Sequence, residues 1–150
     1  MNKDNDVKAI TRKFFAAYNA HDVDGMLALC AEGAQGRYLP YGKKSLMPYG
    51  KKSLMPIRGG LEQIWRGLLG AVPDFGVDVD EMIQAEGHIV VVQALLGGAM
   101  PADVPGLVTK GKSDRIAHAY IIRYNADGKI TRLDCYWDNT AINAIKASVL

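Results

Sequence analysis

A chain of 150 residues with 49% apolar and 23% charged residues has the make-up of one soluble globular domain, long enough to bury roughly two-thirds of its unfolded surface. A net charge of +2, with Lys and Arg scattered apart from one loop, argues against a nucleic-acid partner, and no apolar run is long enough to span a membrane. The opening M-N-K-D-N-D is not a signal peptide, so a cytoplasmic protein with Cys30 and Cys135 as reduced thiols is expected; with no Cys/His cluster at ligand spacing, neither metal nor cofactor is.

In chain order, residues 6–20 read as an amphipathic helix, with Val7, Ile10, Phe14 and Tyr18 at spacings of three and four and Asp4 or Asp6 as its cap. Asn19-Ala20-His21-Asp22 breaks the pattern, which makes His21 a surface turn residue. Asp22 then caps a short helix carrying Met26, Leu27, Leu29 and Cys30 and ending near Gly33. Residues 34–41 read as a short strand ended by Pro40, with Tyr38 a candidate pocket residue.

Residues 40–55 hold a perfect tandem repeat, because P-Y-G-K-K-S-L-M from Pro40 to Met47 recurs from Pro48 to Met55. Eight residues repeated once cannot stack into a solenoid. The stretch reads as a duplicated loop, which adds only about 0.6 kcal/mol of closure entropy per doubling. A basic flap that sets Lys43, Lys44, Lys51 and Lys52 over a pocket is the functional alternative.

After Gly59-Gly60, the residues Leu61, Ile64, Trp65, Leu68 and Leu69 mark a third amphipathic helix that stops before Pro73. A strand with Val77 and Val79 on one face runs to about Gln84. His88–Leu96 is apolar on both faces and reads as a central strand, with Gln93 a buried amide in need of partners. That two-sided character also points to a homodimer through the outer face of a sheet. Residues 97–113 form a long loop. Two β-rich runs then flank Asn125-Ala126-Asp127-Gly128, a hairpin turn signal. Alternation places His118, Tyr120, Ile122 and Tyr124 on one face of the first run. In the second, Thr131, Leu133, Cys135 and Trp137 share one face, and Ile130, Arg132, Asp134, Tyr136 and Asp138 the other. Asp138 or Asn139 caps a closing helix. Helices first and strands after them imply an α+β fold, with helices packed on the concave face of a curved antiparallel sheet and a cavity between. No dinucleotide fingerprint, phosphate-binding loop or serine elbow occurs.

This order, with F-F-A-A-Y-N-A-H-D-V-D near the start and A-D-G-K-I-T-R-L-D-C-Y-W-D near the end, resembles the nuclear transport factor 2-like superfamily over nearly the whole chain. Within it the chain is most similar to the SnoaL-like polyketide cyclases; limonene epoxide hydrolase and ketosteroid isomerase are more distant. The resemblance implies a cone-shaped α+β barrel, and it spans isomerases, cyclases, hydrolases and non-enzymes. Carried over residue by residue, the catalytic aspartate of the cyclases and the epoxide hydrolase falls on Cys135. The hydrolase's arginine and second aspartate fall on Gln93 and Leu95. The isomerase's base falls on Tyr38, and its oxyanion tyrosine and aspartic acid on Phe14 and Tyr120. Asp134, one residue from the cyclase position, points to the opposite face unless a bulge shifts it.

The resemblance puts Tyr38, Gln93, His118, Tyr120, Leu133, Cys135 and Trp137 on a pocket wall, joined by Phe14, Tyr18 and Trp65 from the helices. Such an apolar, aromatic cavity suits a small apolar ligand. His118 is the candidate base near neutral pH, with Tyr120 and Tyr38 as donors to an enolate-like oxygen. The implied activity is cofactor-independent proton transfer on a polyketide-, steroid- or terpenoid-like carbonyl compound. The other reading is a non-catalytic apolar-ligand binder or association domain. Cys135 as a nucleophile ranks below both, since a buried thiol is usually a small hydrophobe.

Overall fold

The structure, a computed structural model, describes residues 6–41, 54–98 and 115–138. Most of the duplicated loop, the loop after Gly98, the Lys flap and the expected closing helix lie outside the described residues.

Asp6 starts helix α1 (Val7–Asn19) by accepting from the backbone N–H groups of Lys8 and Ala9 at 3.1 and 3.2 Å. Its inward stripe is Val7, Thr11, Phe14, Phe15 and Tyr18. The one polar member, Thr11, donates to the Val7 carbonyl at 2.6 Å and shares a hydrogen bond with the Tyr124 hydroxyl. His21 turns the chain at φ 57°, and its ring bonds the Phe75 carbonyl at 2.7 Å; it is a half-buried structural residue. Asp22 accepts from Gly25 N–H at 2.9 Å and caps α2 (Val23–Ala28).

Strand β1 (Cys30–Tyr41) begins four residues earlier than the sequence suggests. The carbonyls that a longer α2 would keep for itself are taken by distant donors. Arg58 donates to Leu27 and Cys30, Lys129 to Ala28, and the Ile130 N–H to Leu29. A two-residue strand β2 (Met55–Pro56) follows, then an irregular turn over Ile57–Leu61 and helix α3 (Glu62–Ala71). Glu62 caps that turn by accepting from Gly59 N–H at 3.0 Å.

Strands β3 (Gly76–Ala85), β4 (Ile89–Gly97), β5 (Arg115–Tyr124) and β6 (Ile130–Asp138) complete one curved, unclosed sheet in the order β2-β1-β6-β5-β4-β3. The helices pack on one face, which makes the fold α+β as expected. The sheet is not wholly antiparallel, however, because β1 runs parallel to β6. No hairpin joins these two, so nothing local sets their relative direction. The β5–β6 hairpin turns where expected: Asn125 Oδ1 accepts from Asp127 and Lys129 N–H, and Gly128 takes φ 78°.

Three irregularities interrupt the described ladders, one of them in β1 between Cys30 and Gln35. Thr131 is the extra residue between the pairs Arg123–Arg132 and Tyr124–Ile130, so Ile130 turns into the core and strict alternation fails at this end of β6. Another lies between Val79 and Glu81; Val79, still in register with Val77 and opposite buried Ala94, is nevertheless 40% exposed on this edge strand. Inward residues of the sheet (Val90, Val92, Tyr120, Ile122, Leu133) meet Phe14, Phe15, Trp65 and Leu69 of the helices in one apolar core.

β1 approaches β6 closely at Gly36, where a Cβ would lie 2.7 Å from the Leu133 carbonyl oxygen and 2.6 Å from Leu61 Cδ1. The leucine tip can move, but the backbone oxygen cannot without breaking the ladder. Gly36→Ala is therefore expected to cost about 1–3 kcal/mol in urea unfolding; an unchanged midpoint would show that the strands spread freely. Among the described residues no helix is long and apolar enough to cross a membrane.

Candidate functional site

The site is set by register across three strands. In the β5–β6 hairpin His118 lies opposite Trp137 and Tyr120 opposite Cys135, while β1 brings Tyr38 to the other side of Cys135. All five face the helices, because the bulge at Thr131 comes before them and alternation is regular from Arg132 on. The His118 ring stacks on Trp137 with centroids 5.2 Å apart and planes 19° from parallel. Tyr38 meets the same indole edge-on at 5.6 Å.

His118 has a defined tautomer. Its Nδ1 lies 2.7 Å from the Ile116 carbonyl, which can only accept, so Nδ1 carries the hydrogen and Nε2 keeps a lone pair. Burial lowers its pKa to about 4, against the smaller opposing pull of that hydrogen bond. The ring is thus neutral at pH 7, an acceptor and weak base rather than a cation. Burial also raises the hydroxyls of Tyr38 and Tyr120 well above the usual phenol range, so both stay protonated. The Cys135 thiol is pushed up by burial too, which keeps it out of the thiolate form a nucleophile needs.

The structure gives the two tyrosines different standing. Tyr38 Oη accepts from Trp65 Nε1 and also bonds the Tyr18 hydroxyl. Its expected role as a donor to a ligand is corrected by these bonds, which make it a fixed strut. Tyr120 Oη is buried with no nitrogen or oxygen partner and engages only the Cys135 thiol, a weak acceptor. Trp137 Nε1 is likewise buried and unpartnered.

Phe14, Tyr18, Trp65 and Leu133 form the packed floor beneath this group. Phe14 and Trp65 are both 0% exposed, with rings in edge contact at 5.9 Å. Gln93 is not on the wall. It sits opposite Ala119 on the outer face and is exposed, so its amide is solvated and needs no buried partner. Asp134 also faces outward, although only 3% exposed. It is held there by Arg132 at 2.8 Å, Arg37 at 3.4 Å and Arg123 at 3.6 Å. Sequence reasoning missed this cluster; the R-L-D spacing of Arg132 and Asp134 was its only local signal, since Arg37 and Arg123 arrive from neighbouring strands. The outer face also carries a groove of about 340 Å³, lined by Asp80, Gln93, Leu95, Ala117 and Ala119 and backed by Ala94 and His118. Among the described residues no group of three His, Cys, Asp or Glu is placed to hold a metal ion.

The profile of the SnoaL-like domain family matches residues 11–133, which takes in α1 through the first half of β6. No curated protein matches the chain. Among solved structures it is similar to IdmH, a proposed polyketide cyclase from Streptomyces antibioticus. That match has a TM-score of 0.75 at 19% identity and covers 93% of this chain and 96% of that one. A proposed polyketide cyclase from Xanthomonas campestris pv. campestris gives 0.72 at 18%, over 95% and 98%. A Mycobacterium tuberculosis protein in complex with estradiol-17β-hemisuccinate gives 0.68 at 16%, over 87% and 92%. At these identities the structures establish a shared fold. The family match, spanning most of the chain, establishes more: this protein belongs to the SnoaL-like domain family of the nuclear transport factor 2-like superfamily.

Proposed function

We propose that the protein is a cofactor-independent, cytoplasmic enzyme that moves a proton α to the carbonyl of an apolar polyketide-, steroid- or terpenoid-like compound. The observation that carries this reading is the tautomer of His118, whose unprotonated Nε2 sits on an aromatic wall two residues from a phenol that stays protonated. Nε2 takes the α-proton, the C–H pair becomes the enolate π bond, and the former carbonyl pair moves onto oxygen. The Tyr120 hydroxyl donates to that oxygen while Tyr38, pinned by Trp65, holds the indole of Trp137 in place. Return of the proton to a different carbon is an isomerisation; attack of the enolate on a second carbonyl is a cyclisation. The steroid ester bound by the Mycobacterium tuberculosis protein supports a flat apolar ligand for this fold.

Deuterium exchange α to the carbonyl, followed by proton NMR in heavy water over a panel of cyclic and steroidal ketones, tests the reading. Exchange above the buffer rate is expected for at least one ketone that binds. Binding without exchange across the panel would favour the second reading, a binder without turnover. One observation supports that alternative: the buried polar or charged residues described are Thr11 and Asp134, so the inner face offers no carboxylate base.

A homodimer through the sheet's outer face belongs to the same proposal. Ile83 and Leu95 are 49% and 42% exposed there, beside Val91 and Ile121. Arg37, Arg123 and Arg132, with Asp134 offsetting one charge, make a basic corner, diagonally across from Asp80 and Glu81. A two-fold axis crossing the apolar middle sets each basic corner against the other copy's acids. Light scattering at micromolar concentration should give twice the chain mass, and Leu95→Asp should halve it. A monomeric wild type would remove the dimer.

A further inference from the structure

Among the described residues the inner face holds two buried donors with no nitrogen or oxygen partner, Trp137 Nε1 and Tyr120 Oη. The indole nitrogen has no partner at all, and the Tyr120 hydroxyl meets only the weakly accepting Cys135 thiol. Leaving a buried donor unpaired costs about 1–3 kcal/mol, and native proteins keep few such groups without a reason. These two share one neighbourhood. Because Tyr120 pairs with Cys135 and His118 with Trp137, they occupy diagonal cross-strand positions on one face, close enough for long side chains to reach a common atom. The polar groups described around them are engaged or of the wrong kind. Tyr38 is tied to Trp65 and Tyr18, the Cys135 thiol is a weak acceptor, and His118 Nδ1 is spent on the Ile116 carbonyl.

We propose that Tyr120 Oη and Trp137 Nε1 together form the subsite for one acceptor oxygen of the ligand, a carbonyl, enolate or phenolate oxygen that takes a hydrogen bond on each lone pair. This deepens the proposed function and rests on reading the inner face as the ligand site. It also gives Trp137 the role of second donor, which Tyr38 is not free to fill. An indole N–H donates and never accepts, so Trp137 selects for an acceptor: a hydroxyl hydrogen or an ammonium finds no partner at the indole and meets only the phenol oxygen of Tyr120. The His118 ring, whose Nε2 keeps a lone pair, is stacked on the same indole. The preferred ligand is therefore a flat apolar molecule whose polar edge carries an acceptor oxygen next to an acidic hydrogen. The stacked His118 and Trp137 rings provide the surface for such a flat body.

The test compares 2-naphthol with naphthalene, probes of one shape with and without the oxygen, titrated by calorimetry into wild type, Trp137→Phe and Tyr120→Phe. Each variant should lose roughly tenfold in 2-naphthol affinity beyond any loss for naphthalene, the scale of one hydrogen bond. Retained naphthalene binding reports that the variant is folded and its stacking surface intact. Tyr120→Phe removes a single oxygen, so the experiment stands even where the indole replacement disturbs packing. Equal losses for both probes would overturn the proposal, and so would failure of wild type to bind either. No turnover is needed. Selective losses without α-proton exchange would sink the enzyme reading alone, whereas exchange with unselective losses would sink the subsite alone.

Discussion

His118→Ala is expected to lower the rate of α-proton exchange by at least about a hundredfold, the usual loss when a general base is removed. Binding of the same ketone should survive, since Trp137 and Tyr38 still form the wall. The stronger signature is the pH profile of wild type. The active form is the neutral ring, and burial has lowered its pKa to about 4. Activity should therefore stay flat from neutral pH downward and fall only as pH approaches 4. An exposed histidine would lose it near its ordinary value of about 6.5. A midpoint near that ordinary value would show that His118 is solvated or is not the base.

The same residue shapes stability. In the unfolded chain His118 takes up a proton below pH ~6.5, whereas the folded form resists until about 4. Folded stability is thus whole above the unfolded value and is lost progressively as pH falls between the two. Its share is on the order of 3 kcal/mol. His118→Phe, which keeps a ring on Trp137, should flatten that part of the stability–pH curve.

Asp134→Ala should be among the most damaging substitutions on the outer face, costing about 3 kcal/mol in urea unfolding. The carboxylate is 3% exposed and answers three guanidinium groups on three different strands. Removing it leaves three like charges side by side, and breaking a buried pair by deleting one partner costs about 3–5 kcal/mol. The lower end applies because the arginines are partly solvated and screened. Arg37→Ala should cost far less, because Arg132 and Arg123 still meet the carboxylate. A loss below about 1 kcal/mol for Asp134→Ala would mean that water replaces the carboxylate freely.

The elements were legible to different depths. The first helix was read nearly to its ends because its caps and its periodic face are local. The hairpin was read through its turn because Asn125 and Gly128 carry the turn chemistry themselves. The second helix was read too long, because the donors that end it are Arg58, Lys129 and Ile130, up to 101 residues away. Ile130 was put on the wrong face because a single extra residue, Thr131, reverses the alternation. Gln93 was read as buried because His88–Leu96 is apolar on both faces, and the resemblance put it on the pocket wall; in the fold it points outward between Val92 and Ala94, both buried.

The sequence by itself determined the fold class, the family, the hairpin and the facing of His118, Tyr120, Cys135 and Trp137, because periodicity and turn chemistry act between near neighbours. Only the tertiary structure decided that β1 runs parallel to β6, that Tyr38 is bound by Trp65, and that Asp134 gathers three arginines. It also decided which nitrogen of His118 holds the hydrogen and which buried donors go unpaired. These depend on what the chain brings alongside a group, and strand register and desolvation are settled by packing between residues far apart in sequence.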